Sequence, residues 1–333
     1  MPHDENTDAA LSERLQNYCD QLGFAPYRIA VSSTAAALQL ACEAAGIGAT
    51  DTVWMSPIGP VSHVNAARSC GAAVRFIDVD PATGALCSST LAGMLSDAKR
   101  NNNLPRAVIA MHFAGASCDM ATLRDLCRPH GILLIEDASH ALGGHYNDQS
   151  VGSCAYADIC VLGFYRAGNE HEPVAALLTT PHAEFSEHNV DVSRDTFTLM
   201  LAQLETLPAC VERCNSLAEN YLDAFGDTAL MTLHVEFNVT PNYYLFVVQV
   251  DPDIRLAIYN ALRAAGVPVQ MHYEPVHLRP EYQQFGFAAG DYPGAEAYYE
   301  GTLSLPLHEN MSDKAQQNVI ARMLHALAEL EAD

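Results

Sequence analysis

Residues 131–180 read GILLIEDASHALGGHYNDQSVGSCAYADICVLGFYRAGNEHEPVAALLTT, and two apolar runs inside them decide the fold. Ile132-Leu133-Leu134-Ile135 is unbroken and stops at Glu136-Asp137, and Ile159-Cys160-Val161-Leu162 is unbroken and stops at Gly163-Phe164-Tyr165. Strands that are apolar throughout, rather than at alternate positions, belong to a parallel sheet covered on both faces. Ligands of such sheets bind beyond the carboxyl ends of the strands, so Asp137 is placed to meet one.

Working outward, apolar spacing predicts a helix over 9–22, a strand over 28–31 and an alanine-rich helix opened by Ser33-Thr34 and ended at Gly46. A strand ends near 54–58, and a helix over 61–70, a strand over 73–77, a helix over 89–98, a strand over 107–111 and a helix over 120–130 lead back to the first run. Strands alternating with helices of this length predict a mostly parallel α/β sheet with right-handed crossovers. Beyond it, a helix over 197–225 with Leu201, Leu204, Leu207, Val211 and Leu217 at helical spacing suits packing between domains. A strand over 243–250, a helix over 254–265 and a strand over 267–271 then predict a smaller α+β unit. The expected division is a large α/β domain over 1–195, then a linker helix and a small C-terminal α+β domain over 196–333.

The chain of 333 residues carries 17 basic and 40 acidic side chains, a formal charge of -23 that opposes phosphate backbones and anionic membranes. Nucleic acid and membrane are therefore not expected partners. Ten cysteines are scattered with no CxxC pair, which predicts free buried thiols in a reducing compartment and no metal site. The first ten residues, MPHDENTDAA, contain no apolar leader, and no run reaches the ~18 apolar residues of a spanning helix. A cytoplasmic location is expected.

The run Glu136-Asp137-Ala138-Ser139-His140-Ala141, followed by Val151-Gly152-Ser153, Ala157-Asp158-Ile159 and Phe164-Tyr165, resembles the DegT/DnrJ/EryC/StrS family of pyridoxal-phosphate (PLP) enzymes, which aminate nucleotide-linked keto sugars. Within it the 4-aminotransferases of pseudaminic acid synthesis are the most similar. HFAGASCDM at 112–120 and the stretch 266–311 carry the same resemblance, which spans roughly 10–330. It implies PLP-transferase fold type I, a homodimer with active sites at the interface, and a nucleotide-sugar substrate of surface-glycan biosynthesis. By that resemblance Asp137 pairs with the pyridine nitrogen, keeping it protonated so that the ring acts as an electron sink. The turn at Ser33, Thr34 and Ala35 holds the phosphate at a helix N-terminus. By the same resemblance residue 60 stacks on the ring, His140 lies beside the cofactor, and His272, Tyr273 and His277 lie near the sugar-nucleotide pocket or the domain junction.

The lysine that the family needs for the imine falls at Gly168, and glycine offers no amine in its place. The chain has only two lysines, Lys99 in a polar connector and Lys314 in a polar C-terminal helix. Thr34 stands for a glycine, Ala35 for a threonine, Pro60 for an aromatic ring, Gly163 for a serine and Glu172-Pro173 for a glycine-rich loop. Of an Asn-Tyr-Arg-Met-Ser/Thr-Asp motif only Asn189 survives, with Asp191 displaced. Losses at positions that touch the cofactor, with the scaffold kept, predict a pseudoenzyme. Such a chain no longer transaminates, binds no PLP as a lysine imine, and acts as a binding or partner subunit, as a homodimer or with an active paralogue. The alternative keeps an enzyme, either a PLP-dependent sugar transaminase or a histidine-based 3-dehydratase, for which His171 and His140 are the candidates.

Overall fold

In the computed structural model, whose described residues are 5–166, 169–186 and 192–331, strands and helices alternate through the first part of the chain. In order they are α1 (Glu5–Gln21), β1 (Tyr27–Val31), α2 (Thr34–Ala44), β2 (Thr52–Met55), α3 (Val61–Ser69), β3 (Ala73–Phe76), α4 (Ser88–Arg100), β4 (Ala107–Met111), α5 (Met120–Cys127) and β5 (Leu133–Ala138). Two short strands, β6 (His145–Tyr146) and β7 (Gln149–Ser150), precede the long pair β8 (Ile159–Arg166) and β9 (Asn169–Thr180). There follow α6 (Arg194–Phe225), β10 (Met231–Thr232), β11 (Val239–Thr240), β12 (Phe246–Gln249), α7 (Pro252–Ala264), α8 (Pro280–Gln283), α9 (Pro293–Gly301), β13 (Thr302–Leu305) and α10 (Asp313–Glu331).

The main sheet has seven strands in the order β1-β9-β8-β5-β4-β2-β3. β8, β5, β4, β2 and β3 are parallel, while β9 is antiparallel to both β8 and β1. β1 therefore runs parallel to β8, and six of the seven strands point their carboxyl ends to one edge. β4 is buried at every position and β5 at all but its first, as unbroken apolar runs require. The two polar residues of β5, Glu136 and Asp137, point to opposite faces because successive side chains of a strand alternate.

Gly163, Phe164 and Tyr165 were expected beyond the end of their strand, but they lie inside β8. Pairing with β9 carries the strand past the apolar run, through Gly163 opposite Ala176 and Phe164 opposite Ala175. The strand expected over 267–271 does not form. Pro268 has no N–H to give a ladder, and only Gln270 bridges to Ser304. The strand expected over 243–250 shortens to β12.

α6 joins two hydrophobic cores. Its Met200, Leu201, Leu204 and Leu207 pack with Leu162, Phe164 and Leu177 beneath the main sheet. Its Leu217, Ala218, Tyr221 and Phe225 pack with Phe246, Val248, Leu303 and Met323 around the three-stranded sheet β10-β12-β13. Each fully buried leucine or phenylalanine contributes about 1.5–3 kcal/mol, so the helix is anchored at both ends. Among the described residues no helix is long and apolar enough to cross a membrane.

Candidate functional site at the carboxyl edge of the sheet

Topology brings four segments to one place: the start of α2 after β1, the start of α3 after β2, the end of β5, and the second half of β8. Each leaves or ends its strand at the shared carboxyl edge, where the sheet leaves room for chemistry. Asp137, the penultimate residue of β5, is 1% exposed. A carboxylate so deeply buried must be paired.

Its partner is His63, in the first turn of α3 and itself buried. His63 Nδ1 lies 2.7 Å from Asp137 Oδ2, and the other ring nitrogen, Nε2, lies 3.0 Å from Oγ1 of buried Thr34, the first residue of α2. The second carboxylate oxygen, Oδ1, accepts the backbone N–H of Ser139 at 3.2 Å. Burial pushes the Asp137 carboxyl up, but the His63 charge and the hydrogen bonds from His63 and Ser139 outweigh it and hold it at about 2. The carboxylate is thus ionised and satisfied by the chain alone.

Beside this clamp lies an aromatic cluster. The His140 ring centre lies 4.0 Å from that of Tyr244 at a tilt of 30°, and Tyr244 lies 4.9 Å from Tyr165 at a tilt of 36°. Tyr273 reaches His140 Nε2 with its hydroxyl at 3.3 Å, and Tyr165 donates its own to Ser139 O at 2.9 Å. Gln203 of α6 holds the backbone of Tyr165 through both side-chain amide atoms. A cavity of about 240 Å³ opens next to the cluster, walled by Ser139, Gly163, Tyr165, Gln203, Tyr244 and Glu309.

Burial drives the His140 pKa down to about 3, against the pull of Asp137 and with help from the charges of His272 and His63. The folded protein therefore holds this ring neutral, whereas in the unfolded chain it takes a proton below about pH 6.5. Stability tied to the neutral ring is complete above pH 6.5 and drains as pH falls toward 3, by up to about 1.4 kcal/mol per pH unit. His140→Gln removes the titration. The stability advantage of the parent over this variant, read from urea midpoints, is expected to shrink steadily between pH 6.5 and 4. Parallel profiles would contradict the burial assigned to the ring.

The sequence-predicted residues divide into those the fold gathers and those it does not. Thr34, Asp137 and His140 meet at the site, and Tyr273 joins them from the far end of the chain. Ser33 accepts Ala36 N at 3.2 Å as an ordinary N-cap of α2, and Ala35 follows within that helix. Pro60 is the N-cap of α3 and offers no aromatic face to stack on. His272 bonds Ser304 Oγ through Nδ1 at 2.9 Å. His277 is paired with Glu296 at 2.9 Å and packed against Tyr292. Gly168 and positions 189–191 lie outside the described residues, as do the side chains of His171 and Glu172. Sequence reasoning missed His63, Tyr244 and Gln203. For His63 the available signal was a histidine in the first turn of a helix that enters the site from a strand end.

Described together, a mostly parallel sheet of this order, a second α/β core hung on a long helix and a buried aspartate at the carboxyl edge define an α/β protein of the PLP-dependent aminotransferase fold. The profile of the DegT/DnrJ/EryC1/StrS aminotransferase family matches residues 6–169 and 195–324, and the chain belongs to that family. It is 30% identical over 335 residues to the spore coat polysaccharide biosynthesis protein SpsC of Bacillus subtilis, covering 89% of this chain and 84% of that one. Among solved structures it resembles the aminotransferase TlmJ of Streptoalloteichus hindustanus, with TM-score 0.83, 26% identity and coverage of 96% of this chain and 91% of that one. It also resembles PseC of Helicobacter pylori, an aminotransferase involved in pseudaminic acid biosynthesis, with TM-score 0.85, 22% identity and coverage of 96% and 91%.

The family suggests PLP as cofactor, but the residues present do not fit it on Asp137. Both carboxylate oxygens are engaged by the chain itself, and Ser33 already occupies one N–H at the start of α2. A Cβ built on Gly163 would lie 2.7 Å from Ser139 O and 3.2 Å from Thr34 Cγ2. β8, the exit of β5 and the start of α2 thus approach one another closely beside Asp137.

Proposed function

We propose that the chain serves nucleotide-sugar conversion in surface-glycan or polysaccharide biosynthesis as a member that does not transaminate through a lysine imine, and that it works as a binding or partner subunit. The observation that carries this reading is the placement of the primary amines. Lys99 is exposed in the last turn of α4, at the amino edge of the sheet away from Asp137, and Lys314 is exposed in the first turn of α10. Position 168, which the resemblance gives to the imine lysine, is glycine.

The substrate class rests on the named roles of SpsC and PseC. The cavity of about 240 Å³ falls short of the roughly 300–1,000 Å³ of sites for drug-sized ligands. In this reading a second chain, an active paralogue, therefore supplies the rest of the sugar-nucleotide surface. The test supplies a 4-keto-6-deoxy sugar nucleotide, an amino donor and PLP to the purified chain, alone and co-expressed with an active family member of the same genome. No amination by the chain alone, with a stable mixed dimer that binds the sugar nucleotide, is expected. Amination by the chain alone overturns the loss of transamination. A chain that binds neither the paralogue nor a sugar nucleotide overturns the partner role.

A further inference from the structure

We propose that His63 is a built-in substitute for a cofactor: its imidazole fills the seat on Asp137 that the resemblance assigns to the pyridine nitrogen, and the protein folds complete without PLP. The inference deepens the reading above and rests on it for the absence of an imine lysine.

Three observations meet in this one side chain. The chemistry matches, because imidazole is a flat aromatic heterocycle whose ring N–H donates to a carboxylate, as a pyridinium does. Nδ1 does so at 2.7 Å. The ring is also held from both sides. Its second nitrogen is fixed by Thr34 Oγ1 at 3.0 Å, so the imidazole spans from the end of β5 to the start of α2 and cannot swing aside without breaking two buried contacts. Finally, the surroundings have closed around it. Thr34 supplies the hydroxyl that fixes the ring, and the glycine at 163 lets β8 approach Ser139 and Thr34 more closely than any side chain would allow. Two positions at which the sequence departs from the family pattern, Thr34 and Gly163, thus support one internal contact. An empty seat would leave Asp137 as an uncompensated buried charge, and His63 removes that penalty.

The clamp predicts that PLP and His63 compete for one carboxylate. The full chain, His63→Ala, His63→Thr and the double variant His63→Ala with Asp137→Asn are titrated with PLP alone, followed by equilibrium dialysis and by the shift in thermal midpoint. The parent is expected to show no saturable binding. His63→Ala is expected to bind saturably, at least about tenfold more tightly than the upper limit set by the parent titration, the change that one hydrogen bond to a charged group supports, and to gain thermal stability with PLP. The gain is expected to vanish in the double variant. His63→Thr, which keeps a small donor near Asp137, serves where alanine fails to fold. In the parent, the ring-nitrogen NMR shifts of His63 report a protonated Nδ1 that excess PLP leaves unchanged. Parent binding as tight as that of the variants, or a folded variant without the gain, overturns the proposal. A shift of the His63 signals on adding PLP also overturns it. These readouts are binding alone, so they can fail while the chain still does not aminate, and amination in the earlier test can occur whatever they show.

Discussion

Replacing Asp137 with alanine is expected to cost about 2–5 kcal/mol of folding stability, the loss that follows when two buried donors are left without their charged acceptor. The figure is large because the carboxylate answers two donors at once, His63 Nδ1 and the backbone N–H of Ser139. Without it both donors remain buried around a position that is 1% exposed. His63→Ala is expected to lose stability as well, and the double variant to lose less than the sum of the two by more than about 1 kcal/mol, since the pair acts as a unit. Urea unfolding followed by both tyrosine fluorescence and far-UV circular dichroism measures the three changes. An Asp137→Ala loss below about 1 kcal/mol, or strict additivity, would show that the pair is not the clamp described here.

Gly115→Ala is expected to cost about 3 kcal/mol through strain and collision together. Gly115 follows β4 in a tight turn with φ +96°, a conformation that residues with a Cβ rarely adopt. A Cβ there would collide with Asn242 Oδ1 and lie 2.8 Å from Tyr244 N. Asn242 cannot yield freely, because it donates to Leu142 O at 3.0 Å and accepts Tyr244 N at 3.0 Å. The substitution therefore pushes on Tyr244, whose ring lies against those of His140 and Tyr165. The loss is expected in the urea midpoint, with a changed near-UV tyrosine spectrum. A variant within about 1 kcal/mol of the parent would contradict the close approach at this turn.

The sheet was legible because burial on both faces leaves a plain mark, and the runs at 132–135 and 159–162 are β5 and the first half of β8. Asp137 was legible for the same reason, since a polar residue that ends such a run must answer to something at the carboxyl edge. The continuation of β8 through Tyr165 was not legible. Glycine and a tyrosine whose hydroxyl bonds across to Ser139 O do not resemble strand residues until β9 is seen alongside. His63 was hidden because its partner lies 74 residues away, and the nine-residue α3 shows no strong apolar face to mark which side is inward. His277 is a further position whose partners the sequence did not show. The resemblance placed it near a ligand or the domain junction, and its contacts are a carboxylate 19 residues on and a tyrosine ring. Motifs pointed to a neighbourhood, and only the packed side chains showed which groups face each other.

The most direct test incubates the purified parent chain with excess PLP, dialyses away what is unbound, records the visible spectrum, and only then adds borohydride to fix any remaining imine as a secondary amine for peptide mapping by mass. With glycine at 168, both lysines exposed on distant helices and His63 seated on Asp137, no visible absorption band should survive dialysis and no lysine should carry a pyridoxyl group. A stoichiometric band with the label on Lys99 or Lys314 would contradict this outcome.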